Sequence, residues 1–363
     1  METACNSAKD AFNCSLSNHC IVSACPGSGK THFLVSRAAR AFEEIPDSYS
    51  YCVSFTNEAS NEMKARLNIH CPQHDSRIKC STFHKFCLES LNAMSVVRLK
   101  IVRNDAVLCG ILGEVISNTR ESVYREIDLL IKEISGVEPD LVVDAESSTD
   151  DDSLAVKCTN NVRDLFYLKR ILYLFRTVGS CPDVSEVLRS VFVSFSAKLD
   201  ELHLVDFQLI VATFANRVGT LNVLPVHITH MFVDEFQDLD SEQISLVLVL
   251  VQKFNVLLTA VGDPNQSIYS WRTPPVLVPL KKSRPESTST DNLTHITKIL
   301  PGSISTFRLR ENYRSEAVIV RACNRLIDDN PAHASVPTIG TPAGQCLPTF
   351  HPRVHSKWTR LLN

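Results

Sequence analysis

Over the first ninety residues, short apolar runs alternate with longer stretches of helical spacing. "CIVSA" (20–24), "SYCVSF" (50–55) and "RIKCS" (77–81) are each followed by such a stretch. Strand-length runs between 3.6-period segments predict a parallel sheet with crossover helices. From 92 to 203 the pattern changes. "DAVLCGILGEVI" and "VRDLFYLKRILYLFRTV" carry helical spacing and predict a mostly helical insertion. The insertion is interrupted at 138–152 by an acidic, Ser-rich stretch without Lys or Arg, expected to be a solvated loop. Strand character returns in "ITHMFVDE" (228–235) and "FNVLLTAVGD" (254–263). "RTPPVLVPLKKSRPESTST" then has linker composition, followed by one strand candidate, "STFRL", a helix from about Ser315 and a Pro-rich tail. No internal repeat interrupts this order. The expectation is an α/β fold: a parallel-sheet domain in two parts (1–91 and 204–303), split by a helical insertion (92–203), with a further segment at 304–363.

Composition narrows the setting. With 44% hydrophobic and 21% charged residues, the 363-residue chain is globular in type. No apolar run reaches ~18 residues, so no membrane span or membrane partner is expected. "METACNSAKD" lacks the basic and apolar regions of a secretory signal. Thirteen cysteines without a regular framework indicate an intracellular, reducing compartment, cytoplasm or nucleus. The net charge of −3 limits any nucleic-acid contact to a local surface.

Chemistry concentrates in two places. "ACPGSGKT" (Ala24, Cys25, Pro26, Gly27, Ser28, Gly29, Lys30, Thr31) follows a strand and opens a helix. Gly27 and Gly29 let the backbone turn N–H groups toward an anion at the helix N-terminus. Lys30 can reach the β- and γ-phosphates, and Thr31 offers a hydroxyl to Mg²⁺. Cys25 is a small filler there, or a thiol made acidic by the helix N-terminus. In "HMFVDEFQDLDSEQ" an apolar strand ends in Asp234 and Glu235, one placed to hold the metal through water, the other to polarise an attacking water. Together these residues imply an Mg-dependent nucleoside triphosphatase. Zinc is disfavoured, because Cys71, His74, Cys80, His84 and Cys87 match no common finger spacing.

A set of longer motifs makes the reading specific. "ACPGSGKT", "SFTNEASNEMKARL", "STFHKFC", "LVDFQLI", "DEFQD", "VGDPNQSIYSWR" and "LRENYRS" occur in this order. They resemble the motor motifs of the UvrD/Rep/PcrA-like superfamily 1 DNA helicases, over about residues 20–90 and 204–330. The resemblance implies a RecA-like P-loop NTPase domain split by an insertion. It also implies ATP and Mg as cofactors, DNA that is single-stranded or partly duplex as partner, and 3′-to-5′ movement in repair, recombination or replication. Residue by residue, Lys30 and Thr31 match the phosphate and metal positions, Asp234 the Mg²⁺ aspartate and Glu235 the general base. Gln266 matches a γ-phosphate-sensing glutamine, Arg314 an arginine reaching the γ-phosphate from a second motor domain, and Tyr313 an adenine-stacking tyrosine. Phe55, Thr56, Asn57, His84, Tyr269, Trp271 and Arg272 fall at DNA-contacting positions, with Trp271 the best stacking candidate.

The sequence departs from the family in three places. The lead-in "KDAFNCSLSNHC" lacks the adenine-reading glutamine, "SWRTPPVLVP" replaces a "WRGA"-like continuation, and nothing after Ile327 resembles the later second-domain motifs. Only 45 residues (363 minus 318) follow Val318, against a usual domain of ~100–150. Residues 304–363 are therefore expected to be the start of an incomplete second motor domain. The alternatives are an ATP- and single-stranded-DNA-binding module, or a truncated or split helicase that does not unwind alone, its second domain coming in the split case from a separate partner.

Overall fold

The computed structural model describes residues 8–72, 77–135, 162–178, 185–267, 292–328 and 339–340. They fall into two compact units. One is drawn from Met1–Phe86, Val218–Ile268 and Ser289–Asn363, the other from Cys87–Arg217. The acidic stretch at 138–152 and the linker-like stretch at 272–290 lie outside the described residues.

The chain opens with α1 (Ala8–Asn13), β1 (His19–Ala24), α2 (Lys30–Glu44), β2 (Ser50–Ser54), α3 (Asn57–His70), β3 (Ile78–Thr82) and α4 (Phe83–Met94). The helical unit contains β4 (Lys100–Val102), α5 (Asp105–Val115), α6 (Arg120–Ser135), α7 (Val162–Val178), α8 (Glu186–Glu201), β5 (Leu204–Asp206) and α9 (Ile210–Thr220), whose last residues pass into the first unit. The first unit resumes with β6 (His230–Val233), α10 (Ser241–Phe254), β7 (Leu257–Gly262), α11 (Asn292–Ile299), β8 (Ile304–Leu309), β9 (Glu311–Asn312), α12 (Ala317–Asp328) and β10 (Ile339–Gly340).

Six strands of the first unit form one parallel sheet in the order β3-β2-β6-β7-β1-β8. Alternation places every second side chain on one face. On β1, Cys20, Val22 and Ala24 join a core with Phe33, Leu34, Val35 and Ala38 of α2, Met63 and Leu67 of α3, and Phe232, Val261 and Phe307 from other strands. The helices begin where local chemistry stops a strand. Thr56 caps α3 by accepting from the Ala59 N–H at 3.1 Å, and Asp240 and Gln243 form a reciprocal capping box at α10.

Residues 304–309, expected at the start of a second motor domain, form β8 of this same sheet. β8 pairs with β1 through all six residues, Val22 opposite Phe307 and Ala24 opposite Leu309. "STFRL" forms the edge strand beside β1, the strand that leads into the phosphate loop, and its alternate apolar side chains, Phe307 and Leu309, complete that sheet's core.

The helical unit has its own core. Leu108, Leu112, Tyr124, Leu168, Phe175, Leu188 and Phe195 are among its buried members, and β4 and β5 form a two-stranded parallel ribbon beside it. Tyr124 and Tyr167 stack with centroids 4.1 Å apart, and each hydroxyl donates to a carboxylate, Asp164 and Asp128 respectively. The Arg176 guanidinium donates from Nε to Asp206 Oδ2 at 2.7 Å and from Nη2 to Asp105 Oδ1 at 2.8 Å. Arg176 thus ties α7 to β5 and α5. Among the described residues, no helix is long and apolar enough to cross a membrane.

Candidate nucleotide site at the ends of the parallel strands

In open parallel sheets, ligands bind beyond the carboxyl ends of the strands. β1 ends at Ala24 and α2 begins at Lys30, so residues 25–29 form the turn between them. Gly27 (φ 69°) and Gly29 (φ 86°) occupy the left-handed region, where an L side chain is strained. No side chain caps the N-terminus of α2, leaving its first N–H groups to an anion. The Ser28 Oγ donates to the Cys25 carbonyl at 2.7 Å and tightens the turn. Ala24, Cys25 and Ser28 are buried, whereas Pro26, Gly27, Gly29, Lys30 and Thr31 are half-buried. A ligand would meet backbone, not side chain, at Ala24 and Cys25.

β6 delivers the acidic pair. Thr31 Oγ1 donates to Asp234 Oδ2 at 3.0 Å. Asp234 is 4% exposed. Burial, with the Glu235 charge in support, pushes its carboxyl up to about 6, against the opposing Thr31 hydrogen bond and Lys30 charge. Glu235 sits at φ 50°, ψ 47°, an unusual conformation for a residue with a side chain. Its Oε2 lies 3.2 Å from the Lys30 ammonium, which is buried and makes no hydrogen bond. β7 adds Asp263, whose carboxyl is raised by burial and accepts from Gln266 Nε2 at 2.8 Å. One ammonium thus faces three carboxylates in a largely buried setting.

That imbalance fits a divalent cation. Among the described residues, no three His, Cys, Asp or Glu side chains converge on a metal site. Mg²⁺ does not need such a cage, since one or two carboxylates with substrate phosphates and water suffice.

The segment after β8 is bonded to the phosphate loop. The Cys25 N–H donates to the Leu309 carbonyl at 3.0 Å and the Tyr313 N–H to the Gly27 carbonyl at 2.9 Å. Asn312, 4% exposed, donates from Nδ2 to the Pro26 carbonyl at 2.8 Å. Its Oδ1 accepts from the Arg314 and Ser315 N–H groups at 2.9 and 2.8 Å. A Cβ at Gly27 would lie 2.7 Å from Asn312 Oδ1 and 2.9 Å from Arg314 Cβ. Glycine is therefore needed at 27 for close approach as well as for φ. Tyr313 is half-buried, and its hydroxyl donates to Glu311 Oε2. Burial and then that carboxylate raise its phenol well above the usual range. Arg314 is exposed.

The structure thus assembles Lys30, Thr31, Asp234, Glu235 and Gln266 around one mouth, with the Tyr313–Arg314 backbone against the phosphate loop. Of the DNA candidates, Phe55 is half-buried, and Thr56 and Asn57 are exposed where β2 gives way to α3. His84, on α4, is half-buried, and burial lowers its pKa against the pull of Asp240. Tyr269, Trp271 and Arg272 lie outside the described residues.

Sequence reasoning passed over three asparagine and glutamine side chains. Asn312 is the first. Gln237, 5% exposed, donates from Nε2 to Glu235 Oε2 at 3.0 Å and accepts at Oε1 from the Asp263 N–H at 2.9 Å. Asn292 Nδ2 lies 3.0 Å from the Gln237 carbonyl and 2.9 Å from that of Leu239. Two of these residues lie inside the quoted motifs, "DEFQD" and "LRENYRS". Their uncharged side chains carry no signal of burial until the fold is known.

A family model described as the UvrD/REP helicase N-terminal domain matches residues 5–283. The chain belongs to the UvrD/REP helicase family. The ATP-dependent DNA helicase PcrA of Staphylococcus epidermidis (strain ATCC 35984) is 28% identical over 318 residues, covering 85% of this chain and 38% of that protein. The ATP-dependent DNA helicase PcrA of Staphylococcus aureus (strain Mu50) is 26% identical over 324 residues, with the same coverage. The chain thus spans about two fifths of the length of these curated relatives. Membership of the UvrD/REP family accounts for the α/β architecture, a six-stranded parallel sheet with the glycine-bearing loop following β1.

Proposed function

We propose that this chain is the nucleotide-hydrolysing portion of an ATP-dependent DNA helicase or single-stranded-DNA translocase. The observation that carries the reading is the meeting of Lys30, Thr31, Asp234 and Glu235 at the carboxyl ends of β1 and β6. Lys30 would bind the β- and γ-phosphates, and the loop N–H groups would orient them. Thr31 and Asp234 would hold Mg²⁺, which when bound supplies positive charge to the phosphate oxygens. Glu235 would accept a proton from the attacking water, with Gln237 fixing its carboxylate. Gln266 would report the γ-phosphate, and Arg314 would add charge at the transferring group. Most of the catalytic gain in such reactions comes from positioning and charge stabilisation.

Phe55, Thr56, Asn57 and His84, with Tyr269, Trp271 and Arg272, are proposed as the DNA track, and 3′-to-5′ as the polarity. The helical unit is proposed as the family's first accessory insertion. The test is ATP turnover with and without single-stranded DNA, for wild type and Lys30→Ala. Mg-dependent turnover that DNA stimulates and the substitution abolishes is expected. Equal rates in all four conditions would sink the proposal. Strand separation is assayed independently, because nucleotide and DNA binding without unwinding would identify a binding module or a motor completed by a separate polypeptide.

A further inference from the structure

On α2, the proposed mechanism leaves a buried cation unexplained. Arg37 of α2 is 3% exposed, and no carboxylate forms an ion pair with it among the described residues. Its Nε donates to Thr259 Oγ1 at 3.0 Å, and its Nη groups donate to the Cys14 and Ser15 carbonyls at 3.2 and 2.6 Å. The remaining close partner is a thiol, with Arg37 Nη1 2.9 Å from Cys14 Sγ. A buried guanidinium strongly favours an anion beside it, and the thiolate form of Cys14 supplies one. Cys20 is 0% exposed on β1, with its Sγ 3.7 Å from that of Cys14. The ionisable groups acting on Cys14 are Cys20, Arg37 and Arg40. The Cys20 hydrogen bond, then the two arginines, lower its thiol to about 7 against the opposing effect of burial.

We propose that Cys14 and Cys20 form a peroxide-sensitive dithiol, with Cys14 the attacking thiolate and Cys20 the resolving thiol. The Cys14 sulfur attacks hydrogen peroxide, the O–O bond breaks, and Cys14 becomes a sulfenic acid as the other oxygen leaves as hydroxide. Cys20 then attacks that sulfur, forming the S–S bond while the sulfenic oxygen and the Cys20 proton leave as water. In sum, two thiols are oxidised by two electrons and one peroxide is reduced to two waters. The sulfurs must close from 3.7 Å to about 2.05 Å to form the bond. Burial of Cys20 in the sheet core keeps small oxidants at Cys14, the half-buried member.

The test uses the full chain. It is treated with hydrogen peroxide, blocked with N-ethylmaleimide, digested with trypsin and sequenced by mass spectrometry across residues 10–30. A Cys14–Cys20 link with Cys25 blocked, reversed by dithiothreitol and absent in Cys14→Ser, is expected. A link that includes Cys25, or Cys14 over-oxidised while Cys20 stays a free thiol, overturns the proposal, as does no modification at either residue. Iodoacetamide labelling at pH 7 gives a second readout. Thiolate content raises the Cys14 rate about 15-fold over an ordinary thiol, and lower nucleophilicity returns about 5-fold, a net gain of about 3-fold. Arg37→Gln should remove that gain. A misfolded variant would instead label Cys14, Cys20 and Cys109 faster together, so loss of fold and loss of activation are distinguishable.

Discussion

The two units of this chain use buried polar groups for opposite purposes. In the helical unit they are matched. Asp206, 1% exposed, receives two hydrogen bonds from Arg176, and each stacked tyrosine hydroxyl meets a carboxylate. In the sheet unit they are left unbalanced at the strand ends, with three carboxylates around one ammonium that makes no hydrogen bond. Matched groups hold helices in register, whereas unmatched ones wait for a ligand to complete them. Polar burial alone therefore does not mark a site. What marks it is charge without internal compensation, placed where a parallel sheet opens.

Substitutions that should separate stability from activity test this contrast most strongly. Arg176→Ala leaves the Asp206 carboxylate buried and unpaired, which costs about 3–5 kcal/mol. Denaturant unfolding of the full chain should show that loss, with nucleotide affinity per folded molecule within about twofold of wild type. Lys30→Ala should do the reverse. Turnover should fall at least ~100-fold, about 3 kcal/mol in the barrier, because charge stabilisation at the phosphates is lost. Stability should fall by only about 1 kcal/mol, since Glu235, the carboxylate paired with Lys30, is about a third exposed and water takes over its solvation. A Lys30→Ala protein that unfolds as readily as Arg176→Ala would erase the contrast.

How much of this was legible beforehand follows from the same physics. The strands of the sheet are legible as strand-length apolar runs, and β8 too, but not the sheet that β8 joins. "STFRL" predicts a strand without saying which sheet receives it, because pairing partners are set by the whole core. Lys30, Thr31, Asp234 and Glu235 were legible because glycine spacing and a charged strand end are local signals. Gln237, Asn292 and Asn312 were not. Each acts by joining segments distant in sequence, Asn312 to Pro26 and Gln237 to Asp263, and no local period encodes that. The ribbon of β4 and β5 escaped for a related reason, as three-residue strands are too short to show alternation.

A smaller effect should appear in stability against pH. The Asp234 carboxyl titrates near 6 in the folded chain and near 3.8 when unfolded, raised mainly by burial. The folded state therefore binds the proton more tightly, so this group's contribution is favourable below about pH 4 and is lost as pH rises through 6. Asp234→Asn removes the titration. It should stabilise the nucleotide-free protein at pH 8 by about 1–3 kcal/mol, with no gain below about pH 4, while abolishing Mg-dependent turnover. Thermal unfolding at several pH values checks the first part. A gain independent of pH would mean that packing, rather than charge, sets the effect.

The smallest expected effect is the most informative about how the site is organised. Gln237 touches none of the groups assigned to phosphate or metal, yet it binds the Glu235 carboxylate and the Asp263 N–H at once. Asn292 and Ser267 both hydrogen-bond to its carbonyl, at 3.0 and 3.5 Å. If it positions Glu235, then Gln237→Ala should lower kcat about 10-fold, about 1.4 kcal/mol, and leave the KM for ATP nearly unchanged. The Glu235 carboxylate would lose one of its two partners and keep Lys30, so the fall should be partial. Gln237→Glu is the sharper variant. It keeps the length but sets a second carboxylate against Glu235, raising its proton affinity, so the pH at which turnover is half-maximal should shift upward. A merely structural role predicts lower stability with an unshifted pH profile, and steady-state kinetics across pH separates the two.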